Sequence, residues 1–163
     1  MKKIYVLIFF SVLLLSCSIE VPKEITEQYS ALPEVVDFNY HVKPILSDRC
    51  YQCHGPDEKT RKAGLRLDVE SIAFSKLESG KRAFSPGSLY KSESARRILH
   101  DDPDIVMPPP EANLALTNRE KAIIFKWIEQ GAEWKEHWAF LPPKNQIPIS
   151  ETKGLTQDRK SVV

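Results

Sequence analysis

Cys50, Tyr51, Gln52, Cys53 and His54 form one unbroken run, with two thiols three positions apart and an imidazole directly after the second. On a helical turn that spacing sets both sulfurs on one side of the backbone. There they can reach two vinyl groups on neighbouring pyrroles of a porphyrin, while the histidine is forced beneath the iron. The chemistry expected of the run is covalent attachment of one haem c through thioethers at Cys50 and Cys53, with His54 on the fifth coordination position.

Three other readings of the two thiols compete. A thioredoxin-like pair needs a βαβ context, which the sequence does not offer. A zinc-binding structural module needs a second pair of ligands at short spacing, whereas His41, His100 and His137 are scattered. A structural disulfide fits a chain exported to an oxidising compartment.

The sixth position decides what such a haem can do. Met107 is the one methionine besides Met1, and Pro108, Pro109 and Pro110 follow it directly. Those prolines fix an extended, non-helical backbone that presents the thioether rigidly. Met/His ligation raises the reduction potential and leaves no open position for a substrate. An electron carrier rather than an enzyme is therefore expected. Bis-histidine ligation is the alternative; His41 and His100 sit at helix positions that suit surface or capping roles, and His137 lies beside two tryptophans that suit packing. Lys59, Arg61, Lys62 and Arg66 form a basic group that can neutralise haem propionates, attract an acidic redox partner or simply face solvent. Gly64 is expected to shape a turn whose carbonyl orients the His54 ring.

These residues need elements to hold them, and the chain is short. Its 163 residues are 42% apolar and 28% charged with a formal net charge of +1. That suits one small domain with appendages, and the lack of basic excess argues against a nucleic-acid partner. Helical spacing runs through Phe38, Val42, Ile45 and Leu46, with Asp37 or Asn39 as caps; Pro44 either kinks this helix or starts it. Cys50 to Gly64 reads as loop. Asp68 is placed to cap a short helix carrying Ile72, Ala73 and Leu77, with Gly80 as its stop. Ser92 to Leu99 reads as another helix. Thr117 to Glu120 is a capping box that opens the clearest helix, with Ile123, Ile124, Trp127 and Ile128 on its apolar stripe and Gly131 at its end. No strand-period alternation appears, so the expected fold is mostly α, with long ordered loops wrapped around the cofactor.

The N-terminal residues read as an address. Lys2 and Lys3 precede an apolar run from Ile4 to Leu15 that is too short to span a bilayer as a helix. Leu14-Leu15-Ser16-Cys17 resembles the lipobox of bacterial lipoproteins, which implies a lipid on Cys17 and a mature chain starting there. The expected organisation is a signal peptide over 1–16, a polar tether over 17–36, a haem domain over 37–142 and a linker or truncated tail over 143–163. The expected location is the cell envelope, lipid-anchored and facing the periplasm or exterior.

Several segments occur together in an order that resembles one family. They are Val42-Lys43-Pro44-Ile45-Leu46, Cys50 through Asp57, Lys62 through Asp68, Met107-Pro108-Pro109, Trp127 through Ala132 and His137-Trp138-Ala139-Phe140. Together they look like the planctomycete-type cytochrome c domain, a relative of class I c-type cytochromes. The resemblance implies a small helical haem domain with His54 and Met107 as axial ligands, and an unidentified redox partner. Similar proteins often continue into larger C-terminal domains. Asp158 to Val163 match the peptide that one frame of a common sequencing adapter spells before a stop, so the chain reads as the N-terminal part of a longer protein with these six residues an artefact. A redox-sensing or docking module of a larger envelope enzyme is the alternative function within that frame.

Overall fold

The computed structural model describes residues 19–136; Cys17, His137, the signal segment and the tail lie outside the described residues. The described chain is helical and, beyond two isolated bridges of Arg82 with Lys76 and Ser92, carries no strand. The mostly α expectation holds. No helix among the described residues is long and apolar enough to cross a membrane.

The N-terminal segment is built into the body rather than standing off it. Helix α1 (Lys23–Thr26) runs into a 3-10 turn over Glu27–Ala31. Ile25, Leu32 and Val36 are buried. Polar latches fasten the segment to the last helix: Tyr29 Oη donates to Glu129 Oε2 at 3.0 Å, Lys126 Nζ to the Pro33 carbonyl at 2.9 Å, and the Val36 N–H to Gln130 Oε1 at 2.9 Å. Net polarity suggested a tether over this stretch. Its buried apolar residues and these latches dock it instead.

Asp37 begins the next run, its Oδ1 accepting the Tyr40 N–H at 3.1 Å, as a capping residue does. A wide π-turn over Phe38–Val42 then leads into α2 (Lys43–Arg49). Pro44 lies in the first turn of α2, where its missing N–H has no helical partner to lose. Helix α2 therefore starts at the proline instead of being kinked by it. Helix α3 (Tyr51–His54) follows with one break at Cys50.

Helix α4 (Glu70–Ala73) departs from the expected capping. Asp68 is engaged with Arg66, whose Nε donates to Asp68 Oδ1 at 3.1 Å, so Val69 occupies the cap position without a side-chain bond. Helix α5 (Glu93–Ile98) also lacks a side-chain cap. Ser92 is buried, donating to the Ser88 carbonyl at 2.8 Å and accepting the Ser85 N–H at 2.9 Å.

Helix α6 (Asn118–Glu129) has both halves of the expected capping box: Thr117 N–H to Glu120 Oε2 at 2.7 Å, and Glu120 N–H to Thr117 Oγ1 at 3.2 Å. Gly131 ends it at φ 102°, a region open to glycine. Its buried face is Ala122, Ile124, Phe125, Trp127 and Ile128, with Ile123 only half-buried. Trp127 is the centre of an aromatic cluster, edge-on to Phe84 at 5.1 Å and 5.6 Å from Phe38, and Trp134 lies 4.0 Å from Phe38. Its indole N–H donates to the Glu133 carbonyl at 2.9 Å, so the large apolar ring is buried without an orphaned donor. Each such buried side chain contributes about 1.5–3 kcal/mol.

Candidate functional site

Helix α3 is a single turn, and it contains the second thiol and the imidazole. The N–H groups of Cys53 and His54 both donate to the Cys50 carbonyl, at 3.1 and 2.8 Å. The C-x-x-C-H run thus has the helical turn its spacing calls for, and the loop expected from Cys50 onward starts only after His54. Gly55 closes the turn. A Cβ there would collide with the Tyr51 carbonyl oxygen and lie 2.9 Å from Tyr51 Cβ, so only glycine fits without displacement.

The chain then doubles back along this turn. Lys62 N–H donates to the Cys53 carbonyl and Leu67 N–H to the His54 carbonyl, each at 2.8 Å. Arg61 braces the intervening loop, donating from Nε to the Gly55 carbonyl at 3.2 Å and from Nη2 to the Pro56 carbonyl at 2.7 Å. Of the basic group Lys59, Arg61, Lys62 and Arg66, only Lys62 reaches the cavity described next. Arg61 is spent on backbone carbonyls and Arg66 on Asp68.

Cys50, His54 and Met107 line one largely apolar cavity of about 350 Å³. Its walls come from α2 (Leu46), the returning loop (Leu65, Leu67), the segment before α5 (Phe84), α5 itself (Ile98) and α6 (Ile124). Cys53 is half-buried one turn on and is not part of the lining. The thiols of Cys50 and Cys53 are free, which leaves the disulfide reading without support. Met107 is delivered by its loop: its N–H donates to the Arg97 carbonyl at 3.1 Å, and the Met107–Pro108 peptide is cis.

The electrostatics favour a neutral ligand set. Burial depresses the His54 pKa, the backbone of Lys62 works against this, and the charge of Arg97 adds to it. The neutral imidazole that results is the form that ligates a metal. His54 Nδ1 is buried without a hydrogen-bond partner. The backbone acting on the ring is that of Lys62, two residues before the Gly64 that the sequence singled out. Burial pushes the Cys50 thiol up to about 12, with the neighbouring Cys53 adding to the rise. A thiol so poorly ionised is a weak nucleophile, unlike that of a dithiol oxidoreductase.

The histidines separate clearly. His41 Nδ1 accepts the Asp37 N–H at 2.9 Å and His100 Nδ1 accepts the Asp102 N–H at 3.0 Å, and neither lines the cavity. Among the described residues no group of three His, Cys, Asp or Glu side chains converges as a metal-ion site, so the zinc reading has no geometric support.

One part of the site was missed from sequence. Glu93 and Arg97 line the cavity, joined by a 3.0 Å ion pair, and Lys81 and Arg96 also bind Glu93 at 3.0 Å. Burial alone would raise the Glu93 carboxyl. The hydrogen bonds and charges of Lys81, Arg97 and Arg96 outweigh that and hold it below the usual carboxylate range. The i, i+3 and i, i+4 spacing of Glu93 with Arg96 and Arg97 was the available signal.

The cavity suits an apolar group that takes one nitrogen and one sulfur ligand and bonds to a thiol in the lining. Residues 50–111 match the model of the family described as Planctomycete cytochrome C, and that span includes Cys50, Cys53, His54 and Met107. No curated protein and no solved structure matches the chain.

Proposed function

We propose that the chain is a haem c electron-transfer domain in which Cys50 and Cys53 carry the thioethers and His54 and Met107 are the axial ligands. The observation that carries this reading is the convergence of Met107 with Cys50 and His54, more than fifty residues earlier in the chain, on one apolar cavity. The family match over residues 50–111 supports it independently. When bound, haem c supplies reversible one-electron chemistry at its iron.

The chain's own residues then do three things. The Cys50 carbonyl, by accepting two N–H groups, keeps the thiol-bearing turn helical. The backbone of Lys62 lies beside the buried His54 ring and helps to orient it. Leu46, Leu65, Leu67, Phe84, Ile98 and Ile124 exclude water, which lowers the local dielectric and tunes the potential. With His54 and Met107 both holding the iron, the haem would have no position for a substrate, and the proposed role is that of a carrier.

We also propose that Cys17 is lipidated and that the domain faces the periplasm or exterior as the N-terminal part of a larger envelope protein. The charged start, short apolar run and Leu14-Leu15-Ser16-Cys17 support this. Expression with export and haem-attachment machinery, followed by a pyridine haemochrome spectrum, tests the cofactor. One covalent haem per chain is expected, and a colourless protein from cells that mature other c-type cytochromes overturns the reading. Mass spectrometry of the mature N-terminus tests the lipid.

A further inference from the structure

Glu93 faces two cavities. On one side it lines the apolar cavity with His54 and Met107; on the other it forms the floor of a surface groove whose rim is Lys81, Arg82, Lys91 and Arg96, with Tyr90 beside them. Four cations and one carboxylate thus line the groove, and that carboxylate is nearly buried and already bonded to Lys81, Arg96 and Arg97. Among the described residues Lys91 and Arg82 have no carboxylate partner; Arg82 is held by the Phe74 carbonyl. In a chain of formal net charge +1 this is a marked local excess of positive charge. Tyr90, half-exposed, gives the groove an amphipathic contact of the kind found in protein interfaces.

We propose that this groove is the docking surface for the acidic face of an electron-transfer protein. The proposal rests on the haem reading above. A partner seated there is separated from the cofactor cavity by the Glu93 side chain, which lines both. Positive charge on the rim steers an acidic partner into encounter and suppresses basic ones. The groove lies on residues 80–96, away from the Lys59–Arg66 loop, whose arginines are bound internally.

The test uses the exported, haem-loaded protein and reduced flavodoxin as an acidic one-electron donor. Flavodoxin loses one electron and the haem iron gains it, followed by stopped flow from low to high salt. The second-order rate should fall as salt rises. Lys91→Glu should lower it about 3- to 10-fold at low salt, with the difference closing at high salt. Lys91→Gln should give a smaller loss in the same direction, and Lys59→Glu no change. Indifference to Lys91→Glu, or an equal loss from Lys59→Glu, overturns the proposal. So does Lys91-dependent binding to phosphatidylglycerol vesicles with an unaltered flavodoxin rate, which assigns the groove to a membrane surface. The haemochrome spectrum is taken on every sample. Colourless protein sinks the haem reading and this one with it, whereas haem-loaded protein with a Lys91-independent rate sinks this one alone.

Discussion

The backbone N–H of Met107 donates to the carbonyl of Arg97 at 3.1 Å, which fastens the proline-bounded loop to the last turn of α5. That carbonyl, at the end of the helix, also accepts the His100 N–H at 3.2 Å. Because the bond is made by backbone, replacing the side chain leaves the loop in place. Met107→Ala should therefore fold and keep its covalent haem while losing the sulfur-to-iron charge-transfer band at the red end of the visible spectrum. Its reduction potential should fall by on the order of 100 mV, part of the wide range that axial ligands control. An unchanged band and potential would remove Met107 from the iron.

Gly55 is required by close approach rather than by its backbone angle. Its φ is −116°, which any residue adopts, but a Cβ would strike the Tyr51 carbonyl. That atom belongs to the turn between the two thiols, so Gly55→Ala should shift the turn. A cost of about 1–3 kcal/mol is expected from such overpacking. Haem incorporation should drop with it, read as the ratio of Soret to protein absorbance. Full incorporation and an unchanged melting temperature would show that the turn absorbs the methyl group freely.

The two thiols of the haem-free protein should differ in reactivity. With its pKa pushed up to about 12, on the order of one Cys50 in ten thousand is ionised at pH 8, and only the thiolate alkylates quickly. Folded protein treated with iodoacetamide should be modified at Cys50 far more slowly than the same protein in denaturant. Equal rates at Cys50 in the two conditions, measured by peptide mass spectrometry, would contradict the burial.

The capping box of α6 was legible because the two side chains that form it lie three residues apart, and Glu120 keeps its bond to the Thr117 N–H through Oε2 while Arg49 takes its other oxygen at 3.0 Å. The C-x-x-C-H run was legible through the same short spacing. The Asp68 cap failed because Arg66, two residues away, offered a stronger ionic partner. The docking of residues 19–36 depends on contacts with α6 about a hundred residues later, which no local pattern displays. Lys62 rather than Gly64 acts on His54 because the chain returns alongside α3, a path set by the backbone bonds of Lys62 to Cys53 and of Leu67 to His54. The role of Glu93 was hidden in the same way: its spacing to Arg96 and Arg97 reads as an ordinary surface pair until Lys81 arrives from another segment.

Glu93 also makes the stability of the domain sensitive to acid, and the sign follows from its environment. Its folded pKa lies below the ordinary carboxylate value of about 4.5 because Lys81, Arg97 and Arg96 outweigh the effect of burial. The stabilisation from its charge is complete above that ordinary value and is lost as pH falls through the lower folded value. Glu93→Gln keeps hydrogen-bonding capacity but leaves three cations around a neutral side chain. At pH 7 it should cost about 1–2 kcal/mol, less than a fully buried pair because the cations are 39–49% exposed. Thermal melts from pH 7 to pH 3 should show the wild type losing stability more steeply below about pH 4.5, so that the two curves converge in acid. Curves that stay parallel to pH 3 would mean that the carboxylate is not ionised by its three partners, and the charge balance assigned to this wall of the cavity would be wrong.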